Sequence, residues 1–370
     1  MPNKIPIFRP EYPSPGEYLK DILDNRGMKV VGFAQRCGRP TKTISEIISG
    51  DTAITPETAL QFQHVLGKPT AETWLNWEAS YRLKLAAQKE EEDLSQHYEW
   101  AKKFPWKELV ERGTIASTNN EIEFVKEILS FFGVSNLKAW ENLNLGQERA
   151  ISFRKAGKHL GKDVSVAAWL RIGDIRAAQI ETKKYDEKRF KAILPNIRPL
   201  TFLKREEFEP QLVDMCSDCG VALVIENELE GTRLSGAARW LTKDKAFIQL
   251  STRYSMEDQF WFSFFHEAAH ILLHSKKSLF IDEDEEQGDS IEKEADDFAG
   301  NCLLPKRTLD SFYEEYGYPG SRPAPHKEEN IRAFAEKVGV SPGIAFAQMQ
   351  RRYKNLYRSP LNKVLKKSIR

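Results

Sequence analysis

The sequence predicts a multidomain protein in which an all-α helix-turn-helix bundle and a helical connector precede an α+β domain with a small antiparallel sheet and a C-terminal helical part. Three observations support this fold class. The 370 residues suffice for two or three domains. Helix start and stop signals fill the N-terminal region, and the first strand-like run begins at Val221. We place the domains at residues 1–90, 91–200, 201–318 and 319–370.

The composition is that of an ordinary globular protein. Hydrophobic residues make up 41% and charged residues 29% of the chain, which excludes wholesale disorder. The four cysteines are too few for a disulfide scaffold. No segment approaches the ~20 apolar residues of a membrane span, and the first residues lack the apolar core of a secretory signal. We therefore expect a cytoplasmic protein with no membrane partner.

Charge is distributed unevenly, although 55 Lys+Arg nearly balance 54 Asp+Glu. Residues 25–45 contain five basic residues and no acid, and the chain has no acid after Ser341. The run QKEEED at residues 88–93 is typical of a polar linker. Asp282 to Asp289 form an acidic run that we interpret as a loop able to gate or attract a substrate. Most such runs are only solvated surface.

Five short helices are predicted in the first domain. Ser14, Pro15 and Glu17 form a helix start, with Ser as N-cap and Glu three residues later. Thr55 and Pro56 begin a later helix in the same way. We place the other three helices at about residues 30–37, 40–48 and 71–87.

The helices on either side of Gly38 have the spacing of a helix-turn-helix, whose second helix enters the major groove of DNA. Ile44 and Ile47 lie on the inner face of that helix, and short polar side chains lie opposite. The nearby basic residues supply attraction to phosphates. A generic helical interaction module is the alternative. The candidate DNA-binding residues are Arg39, Thr41, Lys42, Thr43, Ser45 and Glu46.

Residues 14–85 resemble the HigA-type antitoxins of the XRE helix-turn-helix class. Four segments carry the similarity, in this order: the helix start PGE, the recognition-helix segment TKTISEIISG, the segment ITPETAL and the ending WLNWEASYRL. The resemblance implies a sequence-specific binder of a double-stranded DNA operator that acts as a homodimer. It also implies a toxin as a further partner.

The middle of the chain is predicted to be helical, and its sequence offers no candidate catalytic or metal-binding residues. Residues 121–132 and 166–181 carry apolar residues at helical spacing. The tryptophans of the region, Trp100, Trp106, Trp140 and Trp169, are expected to anchor packing. Cys216 and Cys219 form a single CxxC pair. We interpret them as incidental, because a structural zinc site needs four ligands and no second pair accompanies them.

The third domain contains the residues that carry chemistry. Strand-like runs at 221–226, 236–241 and 246–251 precede the segment DQFWFSFFHEAAHILLH, and the second and third runs predict an antiparallel hairpin. On a helix, His266 and His270 lie one above the other and can bind one metal ion. Glu267 is rotated about 100° from His266, beside the metal, where it can accept a proton from water.

A third ligand must come from elsewhere in the chain. Leu273 and Lys276 occupy the places that a metzincin would fill with Gly and His, which excludes that subclass. His274 lies a full turn beyond His270 and is expected to overshoot the metal. Glu292 is the preferred candidate because Asp296, one turn later, can then accept a ligand histidine's free N–H. Glu294 is the rival.

Three segments resemble the ImmA/IrrE metallopeptidase family, in particular its branch with a fused N-terminal helix-turn-helix: GTRLSGAARWLTKDKAFIQLSTRYSMEDQFWFSFFHEAAHILLH, EKEADDFAGNCLLP and IRAFAEKVGVSPGIAFAQMQ. The similarity runs through about residues 165–355. It implies a zincin-like (gluzincin) α+β domain with Zn²⁺ on His266, His270 and Glu292 and with Glu267 as general acid/base. It also implies that helix-turn-helix repressors are the protein substrates.

Two functions follow from these patterns. The first is a DNA-binding zinc-dependent endopeptidase in transcriptional regulation or in a stress or mobile-element response. It would cleave its own chain near residues 88–120 or a related repressor, with the strand at 246–251 or its hairpin partner pairing with the extended substrate. The second is a non-proteolytic, antitoxin-like autorepressor whose metal domain is a sensor or partner platform. Glu267 favours the first, because a structural zinc site has no need of such an acid.

Overall fold

The computed structural model describes residues 14–145, 160–232, 234–253, 256–274, 285–320, 322 and 324–369. The chain divides into two compact units, Met1–Tyr98 and Glu99–Arg370. None of the helices in these described stretches combines the length and the apolar character that a membrane crossing needs.

In its described part, from residue 14 onward, the first unit is a bundle of five helices. They are α1 (Pro15–Asn25), α2 (Val30–Cys37), α3 (Thr41–Ser49), α4 (Pro56–Leu66) and α5 (Ala71–Ser95). The predicted capping box is formed, since Ser14 Oγ accepts from the Glu17 amide and Glu17 Oε2 accepts from the Ser14 amide. Gly38 adopts a left-handed φ of 64° and makes the turn between α2 and α3. Phe33, Phe62 and Trp74 are fully buried at the centre of the bundle.

The linker predicted at residues 88–93 is wrong, because these residues lie inside α5, which continues to Ser95. Gln, Lys and Glu are good helix formers, so a charged run can extend a helix as readily as interrupt it. The N-terminal part of α5 is anchored in the core by Trp74, and Leu94 is buried near the C-terminal end. A flexible tether at this place is therefore not part of the fold.

The second unit contains the remaining elements. Its α-helices are α6 (Tyr98–Ala101), α7 (Trp106–Glu111), α8 (Glu121–Phe132), α9 (Leu137–Leu145), α10 (Leu160–Gln179), α11 (Glu187–Ile197), α12 (Arg205–Ser217), α13 (Glu257–Leu273), α14 (Glu285–Leu303), α15 (Lys306–Tyr316), α16 (Glu328–Val338), α17 (Pro342–Arg352) and α18 (Asn362–Leu365). Its strands are β1 (Val221–Glu226), β2 (Gly236–Thr242) and β3 (Lys245–Ser251). Two 3₁₀-helices span Arg198–Phe202 and Lys354–Arg358.

The three strands form one sheet in the order β1-β3-β2. The predicted β2–β3 hairpin is confirmed as an antiparallel pair, whereas β1 lies parallel to β3, so the sheet is mixed and the expectation of a purely antiparallel sheet is wrong. Hairpin pairing is local in sequence, but the partner of β1 is set by tertiary packing, which periodicity does not reveal. Because β3 is central, it cannot pair with a substrate; β2 lies at an edge of the described sheet.

The sheet is packed between helices. Helix α13 buries Phe264 and Phe265 in the core it shares with β1 and β3, and α14 packs along α13. Helix α10, within the predicted connector, packs on the sheet, where Trp169 O accepts from the buried Gln249 amide at 2.8 Å. This packing fixes α13 and α14 side by side, which positions the two motifs that carry chemistry.

Candidate metal centre and DNA-binding face

Three polar side chains of α13 and α14 converge on one point. Four aromatic residues of α13 are buried in the core, and His266 and His270 lie on the side of the helix that meets α14; the four are Phe260, Trp261, Phe264 and Phe265. The two Nε2 atoms are 3.0 Å apart, and Glu292 places Oε2 3.2 Å from His266 Nε2 and Oε1 3.4 Å from His270 Nε2. One ligand atom from each residue lies within 4.8 Å of the others.

Two imidazoles and one carboxylate form a donor set typical of catalytic zinc sites, in which a fourth position stays open. The local electrostatics suit a dication. Burial lowers the pKa of His266, but the hydrogen bond that His266 donates to Glu292 and the charges of Glu267, Glu292 and Asp296 outweigh burial, so the pKa is raised from its ordinary value. The carboxylates that favour a protonated histidine also favour a bound cation. The residues present could therefore hold a divalent metal ion.

Asp296 is not one of the three converging residues; it contacts His266 on the side of the ring opposite Glu292. Its Oδ1 is 2.9 Å from Nδ1 of His266, the ring nitrogen that faces away from Glu292. A carboxylate in this place fixes the tautomer and orientation of a histidine. Arg351, on α17, lies 3.8 Å from Oδ2 of Asp296 and stacks over Phe262 with its guanidinium 4.0 Å from the ring centroid. Arg351 was not singled out from the sequence, because only tertiary packing brings α17 to this place.

The structure places Glu292 and Glu294 beside different histidines. Glu294 lies outside the converging group, with Oε2 3.4 Å from Nε2 of His274. His274 in turn places Nδ1 2.9 Å from Nδ1 of His270, on the opposite side of that ring from Glu292. The acidic run is described only from Glu285, where α14 begins, so the loop predicted at 282–289 is helical in its second part and lies outside the described residues in its first.

Glu267 is nearly buried, with 8% of its surface exposed, and the strand β2 passes close to it. A Cβ atom at Gly236 would lie 2.8 Å from both Cγ and Oε1 of Glu267. Real Cβ atoms do not approach other atoms so closely, so only glycine leaves this carboxylate in place. Gly236 is a second residue that sequence reasoning missed; a glycine at the start of a strand is its sole sequence signal.

If Glu267 is the proton acceptor that the sequence predicts, Gly236→Ala should lower peptide hydrolysis by at least about tenfold while metal binding is kept, because the added Cβ displaces the Glu267 carboxylate. Gly300→Ala is the matched control, since its Cβ would meet Gln348 at an ordinary 3.5 Å. The measurement is hydrolysis of an unfolded peptide by the zinc-loaded variants. Equal rates for the two variants would contradict the role of Gly236.

The predicted DNA-binding residues lie on one helix and its entry. Ile44 and Ile47 are buried, as predicted, and Thr41, Lys42 and Ser45 are exposed. Nζ of Lys42 lies 3.7 Å from Oε1 of Glu46 on the surface of the helix. Arg39 donates to Oε1 of Gln61 at 2.7 Å, which ties the start of α3 to α4. Thr43 is half-buried. The face is therefore polar and accessible, as a recognition helix requires.

Comparisons with known proteins found one matching family model and similar proteins. The model of the peptidase M78 family described as the IrrE N-terminal-like domain matches residues 222–347, a range that includes all residues of the converging group. Virulence-associated protein A of Dichelobacter nodosus is 33% identical over 72 residues, which are 19% of this chain and 71% of that protein. The uncharacterized HTH-type transcriptional regulator YddM of Escherichia coli (strain K12) is 29% identical over 72 residues, 20% of this chain and 76% of that protein.

Proposed function

We propose that the chain is a DNA-binding, zinc-dependent endopeptidase acting in transcriptional regulation. It carries an IrrE N-terminal-like domain of the peptidase M78 family. By its similarity over 72 residues, it belongs to the family of virulence-associated protein A. The convergence of His266, His270 and Glu292, with Glu267 beside them, carries this proposal. It is tested by whether the protein cuts a helix-turn-helix repressor in a manner that depends on zinc and on Glu267.

The chain's own residues account for the steps of hydrolysis. His266, His270 and Glu292 would hold the metal, and Asp296 would orient His266. When bound, zinc supplies Lewis acidity that polarises a peptide carbonyl and acidifies water. Glu267 accepts the proton from the attacking water and delivers it to the leaving amine. The outer edge of β2, which has no strand partner among the described residues, would hold the substrate in extended form.

The substrate is proposed to be a helix-turn-helix repressor, because residues 14–85 of the same chain resemble a domain of that kind. Residues 88–95 are helical, which counts against self-cleavage within that part of the expected range 88–120, since a peptidase requires an extended segment. Residues 112–120 are not helical and remain a candidate segment for self-cleavage. Cleavage of this segment, or of a related repressor bound at the same operator, would release the promoter. Homodimerisation, and pairing with a toxin as implied by the HigA-like segment, complete the proposed partners.

An alternative is an antitoxin-like autorepressor with no peptidase activity, whose metal domain is a sensor or a partner platform. The observation in its favour is the similarity to a protein named as an HTH-type transcriptional regulator. The nearly buried Glu267 beside the two histidines argues for the enzyme, because a purely structural site prefers four protein ligands and needs no neighbouring acid. Loss of hydrolysis in Glu267→Gln separates the two.

The full-length protein is expected to bind the DNA upstream of its own gene with an affinity that falls steeply with salt. Five basic residues at positions 25–45 would displace about as many counterions, so the slope of log K against log [salt] should be about −4 to −5. Replacing Lys42, Thr43 and Glu46 by Ala together should abolish the preference for this DNA over random duplex. Fluorescence anisotropy at several salt concentrations measures both effects.

The matched control replaces three exposed residues of α5, Lys89, Glu90 and Glu91, by Ala. It should retain the sequence preference. Equal affinity of the wild-type protein for the upstream DNA and for random DNA at physiological salt would overturn sequence-specific regulation.

A further inference from the structure

We propose that His274 and Glu294 form a positioning pair for His270, so that each histidine of the metal centre is oriented by its own outer partner. The inference rests on the proposed function, because it concerns the same site. It assigns roles to two residues that the sequence had offered only as weaker candidates for metal ligands.

The first observation is the geometry at the end of α13. His274 is the C-cap residue and has extended dihedrals, φ −104° and ψ 110°, so its side chain leaves the helical row of His266 and His270. Its ring lies against His270, with ring centroids 5.0 Å apart and the two Nδ1 atoms at hydrogen-bond distance, 2.9 Å. The side chain is 12% exposed. His274 therefore faces the back of the His270 ring and not the converging ligand atoms.

The proton arrangement follows from this contact. His270 turns Nε2 toward His266 and Glu292, and an imidazole nitrogen that binds a metal must be unprotonated. The proton of the neutral ring is then on Nδ1, which must donate. His274 can accept it only through an unprotonated Nδ1, so its own proton is on Nε2. The short contact between two identical nitrogens thus fixes the tautomer of both rings.

The second observation concerns Nε2 of His274. This atom is buried and makes no hydrogen bond to the described residues. Oε2 of Glu294 lies 3.4 Å away, longer than an ordinary hydrogen bond but within reach of a small rotamer adjustment. A buried N–H requires an acceptor, and a carboxylate provides one. Three acids of α14 thereby take three separate places: Glu292 among the ligand atoms, Asp296 at His266, and Glu294 at His274.

The test measures zinc affinity of the full-length protein by competition with a chromogenic chelator. His274→Phe keeps the ring and removes its nitrogens, and it should weaken zinc binding about 10- to 100-fold. His274→Asn keeps an acceptor near the position of Nδ1 and should stay within about threefold of wild type. Glu294→Ala should weaken binding by about three- to tenfold, because this side chain is 62% exposed and water replaces it in part. Lys293→Ala, an exposed neighbour on α14, is the matched control and should change nothing.

A second readout separates positioning from general damage. The visible absorption bands of the Co²⁺-loaded protein report ligand geometry, and they should shift in His274→Phe and return to the wild-type spectrum in His274→Asn. Zinc affinity in His274→Phe equal to wild type would overturn the inference, as would a loss in His274→Asn as large as that in His274→Phe. If His274→Phe does not fold, Glu294→Ala decides: an affinity equal to that of Lys293→Ala overturns the pair. Failure of the wild-type protein to bind zinc at all would instead refute the proposed function.

Discussion

Replacing Glu267 by Gln is expected to lower peptide hydrolysis by at least about 10²- to 10⁴-fold and to leave metal binding unchanged. The amide fills the same volume but cannot accept a proton from water. Glu267 is nearly buried beside His266 and His270, without belonging to the three residues whose atoms converge. The loss should therefore appear in turnover and not in the metal content of the protein.

The measurement is the cleavage rate of an unfolded peptide by wild type and Glu267→Gln, each with its zinc content determined on the same sample. Asp297→Asn serves as the control, because Asp297 is an exposed carboxylate on α14 that has no part in the metal centre. Hydrolysis by Glu267→Gln at the wild-type rate would show that the acid has no catalytic part, and the metal domain would then fit the autorepressor alternative.

The second large effect concerns the metal itself. One zinc ion is expected per chain, and the double variant His266→Ala/His270→Ala should bind none, because it removes two of three ligands. Glu292→Ala should weaken zinc binding by more than about 100-fold, beyond the range typical of outer partners. Glu294→Ala should have a much smaller effect, since its carboxylate points to His274.

Metal analysis after dialysis and chelator competition measure these affinities. Stoichiometric zinc retained by the double variant would refute the site. A larger loss in Glu294→Ala than in Glu292→Ala would move the third ligand to Glu294.

The sequence predicted those parts of the site that depend on local geometry. The four-residue spacing of His266 and His270, and that of Glu292 and Asp296, has one meaning on a helix, and the structure contains both helices. Their approach required the packing of α14 along α13, for which the sequence offered only resemblance. The contacts of Gly236 and Arg351 with the site could not be predicted, because each reaches the site from an element distant in sequence.

The errors in the predicted fold have the same origin. The parallel pairing of β1 with β3 depends on which strands the core brings together, and strand periodicity is the same for either direction. The run at 88–93 was ambiguous, because its residues are good helix formers and are also common in polar linkers. It is helical in the structure, where α5 is anchored by the buried residues Ala71 and Leu94 near its two ends. Caps were predicted well, since the Ser14 box involves residues only three apart.

The most direct test of the account is mass spectrometry of proteins incubated with the zinc-loaded chain. Two substrates are needed: the helix-turn-helix repressor encoded nearest to its gene, and the full-length Glu267→Gln chain, which cannot cut itself. The account predicts a defined new terminus in the repressor, produced by wild type, absent with chelator and absent with Glu267→Gln as the enzyme. If neither substrate is cut while an unfolded peptide is hydrolysed in a Glu267-dependent way, the repressor is not the substrate. Cleavage that persists with Glu267→Gln as the enzyme would contradict the proposed peptidase activity of this site.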